Sequence, residues 1–182
     1  FFPNVILSTF HTSEFFATST SSTNSASILD VNVKLLSPVN NVEPRVQVGN
    51  GPAAVDLFAN GSILFDNGTG VTRMTMFGGG TMNLNRRVAN TLQVDGGTLN
   101  LIRGALFTNF DGPMRNTNVI VNATGTFSSN ALIRSLIVNT GGTFAPGGLD
   151  TPGTTFILGD FVMNPGSTLK AEFNGTLTDA QR

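Results

Sequence analysis

Cysteine, tryptophan and tyrosine are absent from this sequence, and histidine occurs once, at His11. Without cysteine there is no disulfide framework and no thiolate to hold a zinc ion. A lone histidine has no second imidazole to share a metal and is read as a surface or packing residue, so metal hydrolysis and triads with a histidine base are not expected. The missing cysteines have two readings: chance, or export through an oxidising compartment where a stray disulfide would lock a chain that must cross a further membrane unfolded. Charge is also scarce. Charged residues make up 12% of the chain and the net charge is −1, so no basic stripe exists to neutralise phosphates and nucleic acid is not an expected partner. No apolar run approaches the roughly 18 residues that a membrane-spanning helix needs, so no membrane insertion is expected. The opening "FFPNVILSTF" lacks the basic region and cleavage site of a signal peptide, and the chain is read as starting downstream of any targeting segment.

What remains is rich in Thr, Ser, Asn and Gly, with 40% hydrophobic residues, over a length of 182 that suits a single core. Small polar residues with little charge suit stacked strands better than a solvated helical surface. No 11-residue window keeps a helical apolar face without an interrupting Gly or Pro, so the expected class is all-β. Residues 1–27 differ from the rest. Phe1, Phe2, Phe10, Phe15 and Phe16 crowd the first 16 positions and a Ser/Thr run follows. This segment is read as an N-terminal arm or cap with a flexible tether, its five aromatics too many for a solvated tail and available for assembly with a neighbour. From Ile28 onward "ILDVNVKLL", "RVQV" and "VDLF" alternate with the period of a half-buried strand.

The chain then repeats itself. "TLQVDGGTLNLI", "NVIVNATGTFSS", "SLIVNTGGTF" and "DFVMNPGSTLKAEF" share an apolar residue closing a strand, a short Gly/Asn turn, a Thr and another apolar residue. Phe58, Met76, Val94, Val121, Val138 and Met163 take the closing place. Leu64, Met82, Leu99, Phe127, Phe144 and Leu169 reopen the chain, and Thr81, Thr98, Thr126, Thr143 and Thr168 stand just before the last five of these. Successive closing residues are 18, 18, 27, 17 and 25 apart, longer than a hairpin period and unlike a helical repeat. Such spacing fits one coil of a parallel β-solenoid, 28–182, whose coils stack at about 4.8 Å and bury their apolar faces against each other. Val94, Val121, Leu136, Val138, Phe144 and Leu169 are expected to point inward. Gly79, Gly97, Gly125, Gly142 and Gly166 are expected at coil turns, where φ > 0 favours Gly and Asn. A β-sandwich is the competing architecture.

Chemistry-bearing residues are dispersed. Asp30, Asp56, Asp66, Asp95, Asp111, Asp150 and Asp160 form no adjacent pair, whereas glycoside cleavage needs two carboxyl groups flanking one bond. Asp95 is read as a turn residue bonding its own backbone. The Gly-rich "FGGGTMN" lacks the Lys and following helix of a phosphate loop. Arg86, Arg87, Arg103 and Arg115 are read as exposed charge that blunts aggregation. No catalytic residue, metal or cofactor is expected.

From about residue 120 onward the sequence resembles the passenger-associated transport repeat of autotransporter passengers. The resemblance runs through Val138, Asn139, Gly141, Gly142, Thr143, Ala145, Pro146 and Gly147, then Pro165, Gly166, Ser167, Thr168, Leu169 and Glu172. It implies a right-handed parallel β-helix displayed outside a Gram-negative-type cell, with an outer-membrane barrel in the parent chain and further repeat beyond Arg182. The expected function is that of a non-enzymatic bacterial cell-surface protein, the stalk or adhesive passenger. Its partners would be a host or neighbouring-cell surface, or copies of itself. Two alternatives stay open: a self-assembling subunit of an extracellular filament or sheath, and a solenoid polysaccharide lyase or hydrolase.

Overall fold

The structure, a computed structural model, describes residues 4–8, 14–18, 27–30, 32–36, 45–60, 63–66, 73–84, 91–101, 117–148 and 152–173. Every regular element among them is a strand, as alternating segments cut by Gly, Asn and Pro require. The strands fall into successive tiers. The first holds β1 (Asn4–Ser8), β2 (Glu14–Thr18) and β3 (Ser27–Leu29), the second β4 (Asn32–Leu36), β5 (Arg45–Gly49) and β6 (Leu57–Ala59). The third holds β7 (Ile63–Asp66), β8 (Arg73–Phe77) and β9 (Thr81–Leu84), followed by β10 (Thr91–Val94) with β11 (Gly97–Leu101), and β12 (Asn118–Val121) with β13 (Gly125–Ser129). The last two are β14 (Leu132–Ile133), β15 (Ser135–Val138) and β16 (Thr143–Pro146), then β17 (Phe156–Ile157), β18 (Phe161–Met163) and β19 (Thr168–Leu169).

Two seven-stranded sheets run through all seven tiers, in the orders β18-β15-β12-β10-β8-β5-β2 and β19-β16-β13-β11-β9-β6-β3. Shorter sheets, β1-β4-β7 and β14-β17, add a third strand to the early and late tiers. Every pairing is parallel. Strands therefore enter the sheets in one cyclic order, each tier lying beside the one before it. A sandwich of Greek keys is built on antiparallel pairs, which this topology lacks among the described strands. The arrangement is all-β with long parallel sheets and is compatible with a β-solenoid.

Register explains the core. In the first long sheet Val46, Met76, Val94, Val121, Val138 and Met163 stand level from tier to tier. In the second, Leu57, Met82, Leu99, Phe127, Phe144 and Leu169 do the same. With period two along each strand, these positions share one face of each sheet. All but Met163 and Leu169 are buried, each buried side chain contributing about 1.5–3 kcal/mol. Thr81, Thr98, Thr126, Thr143 and Thr168 form the column just before the second set.

Two places in the sequence template differ. Phe58 lies in the second long sheet, level with Ile28 and Asn83, while the neighbour of Met76 is Val46. Leu64 belongs to β7 in a short sheet, level with Lys34. The early tiers carry an extra four- or five-residue strand, so one turn from Val46 takes 30 positions to reach Met76 rather than 18. A turn between strands of different sheets repeats the same apolar, turn, apolar pattern and imitates a full coil.

The expected boundary between arm and coils falls inside β3. β1 and β2 pair with β4 and β5 in the same parallel register that the later tiers use, so they form the first tier of the sheets. Phe15 and Phe16 lie in β2, level with Val46 and Gln47. Phe1, Phe2, Phe10 and His11 lie outside the described residues, as do Arg86, Arg87, Arg103, Arg115, Asp111 and Asp150.

Candidate functional site: an asparagine column and an open strand edge

The closing residues Val121, Val138 and Met163 are each followed by Asn, and Val94 by Asp95, and the reason is geometric. The backbone N–H groups of Asp95, Asn122, Asn139 and Asn164 donate to the carbonyls of Met76, Val94, Val121 and Val138 at 2.9, 2.8, 2.8 and 2.9 Å. This extends each parallel ladder by one position and sets the four side chains one above another. The chain then turns at once. Gly125, Gly142 and Ser167 donate N–H to the carbonyls of Asn122, Asn139 and Asn164 at 3.0, 2.9 and 3.0 Å, and the third residue of each turn has positive φ: Thr124 at 67°, Gly141 at 78° and Gly166 at 81°. A positive φ at the third position is the signature of a type II turn, normally served by Gly.

The stacked side chains bond to each other. Asn164 Nδ2 donates to Asn139 Oδ1 at 2.7 Å, Asn139 Nδ2 to Asn122 Oδ1 at 2.6 Å, and Asn122 Nδ2 to Asp95 Oδ1 at 2.7 Å. Gln93 Nε2 adds a second donor to Asp95 Oδ1 at 2.8 Å. The column is polar in one sense: every carboxamide donates toward Asp95, whose carboxylate is acceptor-only when ionised and so is a chemically fitting end. Partly buried carboxamides that bond one another in this way avoid the 1–3 kcal/mol or so that an unpaired buried polar group costs.

The column corrects the reading of Asp95, whose carboxylate bonds side chains of its own tier and the next. It also corrects the role expected of asparagine. Among the described residues the left-handed positions are glycines and Thr124, never Asn. Asparagine is at the turns for its amide, and the signal in the sequence was its recurrence directly after Val121, Val138 and Met163. Of the glycines expected at turns, Gly97 and Gly166 have positive φ. Gly125 and Gly142 instead follow the left-handed residue, where a Cβ would sit 2.5 and 2.9 Å from the carbonyls of Val94 and Val121. Gly79 has room for a Cβ, and its neighbour Gly78 takes the positive φ.

The inward residues divide. Val94, Val121, Leu136 and Val138 are fully buried and Phe144 is 3% exposed, while Leu169 is 51% exposed. Leu169 is level with Phe144, as the repeat requires, but it sits in the last described tier and nothing described lies beyond it. The same tier exposes Phe161 and Val162, and Phe161 packs edge-on against Phe144 at 5.7 Å between ring centres. Phe144 in turn stacks on Phe127 at 6.0 Å.

The other acids serve the fold. Asp56 is buried, and its two carboxylate oxygens accept the backbone N–H groups of Gly51 and Thr81 at 2.7 and 2.9 Å. Asp30 accepts Asn60 Nδ2 at 2.7 Å, a second rung between tiers. Asp66 closes β7, and Asp160 is exposed, its carbonyl taking the N–H of Leu136. Among the described residues no group of three or more His, Cys, Asp or Glu is placed to hold a metal ion, and no helix is long and apolar enough to cross a membrane. No family model, curated protein or solved structure matches the chain.

Proposed function

We propose that the chain winds as a right-handed parallel β-helix and acts outside a bacterial cell as the non-enzymatic stalk or adhesive body of an autotransporter-like passenger. The observation that carries this reading is the asparagine column within a cyclic order of parallel strands. Asn139, the turn residues Gly141, Gly142 and Gly166, and Thr143, Thr168 and Leu169, on which the resemblance to passenger repeats rests, are the residues that build the repeated turn and the columns beside it. A stack held tier to tier is quasi-one-dimensional, so folding that begins at one end propagates along it, which suits a passenger that emerges gradually. The acids support a non-enzymatic role, since Asp30, Asp56 and Asp95 each accept hydrogen bonds from their own fold rather than facing one another across a cleft.

Display tests the reading. The chain is fused between an export leader and an outer-membrane barrel in a Gram-negative host. The expected result is a chain cleaved by protease added to intact cells, together with adhesion to cell monolayers above that of the barrel alone. A chain retained in the periplasm, or displayed cells no more adhesive than the control, overturns the passenger assignment.

A further inference from the structure

Six of the seven exposed large apolar residues among the described residues lie between positions 156 and 173, in the last tier, and the seventh, Ile28, lies in β3 at the opposite edge. Between these edges Val46, Met76, Val94, Val121 and Val138 are buried. At the last tier both long sheets end, so β18 and β19 present strand edges with no described partner. An exposed strand edge is a template for a further strand. The edge carries a chemical signature as well. Asn164 donates into the column, but among the described residues no donor reaches its Oδ1, so the column ends in a half-buried acceptor.

We propose that this edge is a docking surface for a parallel pair of polypeptide strands of the chain's own repeat type, carrying a carboxamide level with Asn164. The inference rests on the stacked-tier reading above. Each tier already shows what the next must supply. An apolar residue faces Met163, as Met163 faces Val138, and another faces Leu169, as Leu169 faces Phe144. A donor must meet Asn164 Oδ1, as Asn164 Nδ2 meets Asn139 Oδ1. An aspartate at that level would set oxygen against oxygen, because an ionised carboxylate only accepts. The column itself obeys this rule: aspartate stands at the Asp95 end, which only receives, and asparagine stands at each position that must also give.

The same register separates this occupant from a second copy docking through its first tier. Phe16 of β2 is level with Gln47, Gln47 with Phe77, and Phe77 occupies the column position of Asp95. A copy stacked on the edge in register would set Phe16 against Asn164 and bring no donor.

The test uses a labelled peptide of residues 135–146, which holds the strands and the turn of the preceding tier, titrated into the full chain. Saturable binding is expected, with the Asn139→Asp peptide about tenfold weaker and the two peptides equal against the Asn164→Leu protein. Absence of binding, or equal affinity of both peptides for the unaltered protein, overturns the proposal. Sedimentation showing oligomers that exclude the peptide also overturns it, and assigns the edge to a second copy. Far-UV circular dichroism of the same samples keeps the two ideas apart: a native β spectrum with no peptide binding sinks the docking proposal and leaves the stacked fold standing.

Discussion

Phe144 and Leu169 hold neighbouring places in one column, follow the same Thr and close on the same face, yet one is 3% exposed and the other 51%. Val138 and Met163 repeat the contrast in the other long sheet, the first fully buried and the second half-buried. The residues differ little in apolar character. What differs is the number of neighbours along the stack: an interior tier is covered from both sides, a terminal tier from one. In a quasi-one-dimensional fold stability is a sum of tiers and interfaces, so identical chemistry is worth different amounts according to place.

Four substitutions break or sharpen that contrast. The largest effect is expected of Val138→Asp, which buries an unpaired carboxylate between two covered tiers. It should cost on the order of 5 kcal/mol or prevent folding of the later tiers, whereas Leu169→Asp, at a half-exposed position, should cost only about 1.5 kcal/mol. Thermal unfolding followed by circular dichroism compares them, and equal losses would mean that the tiers are not stacked as described. Next comes Phe127→Ala, which opens a cavity beneath Phe144 and should cost about 4 kcal/mol in denaturant titration. Leu169→Ala, at the open edge, should cost about 1 kcal/mol.

Asn139→Leu cuts the column in its middle. It strands the donor of Asn164 and the acceptor of Asn122, with an expected loss of about 2 kcal/mol. Asn164→Leu strands one group rather than two, the acceptor Asn139 Oδ1 beside the rim, and should cost about half as much. Chemical denaturation of the two variants and their double mutant reads the difference. The smallest effect is a gain. Thr124 holds φ 67° where Gly141 and Gly166 stand in the equivalent turns, and a β-branched residue there is strained. Thr124→Gly should raise stability by about 1 kcal/mol, less the weak bond from its Oγ1 to the Asp95 carbonyl at 3.3 Å. Gly141→Thr should lower stability by a similar amount in the same unfolding assay. A neutral result for both would remove strain from the account of this turn.

Legibility followed the regularity of the repeat. From Met76 to Met163 the closing residues read off the sequence are those that stack, since apolar, turn, Thr and apolar recur at fixed offsets within each tier. Before Met76 the same words occur at changed spacing because a third strand lengthens each tier, and Phe58 and Leu64 fit the template without joining its columns. The asparagines form a visible pattern whose cause the sequence leaves open. A turn-former and a ladder-former look alike until the register sets three amides within hydrogen-bonding distance.

The sequence alone determined that the chain is built of strands, and which residues of the later tiers face the core, because alternation and glycine placement act over a few residues and need no distant partner. The tertiary structure alone decided which tier covers which, that Asp95 ends a column of amides, and that Leu169 is left exposed. Those outcomes depend on residues 17 to 30 positions apart being brought level, and no local preference specifies how long each excursion between them is.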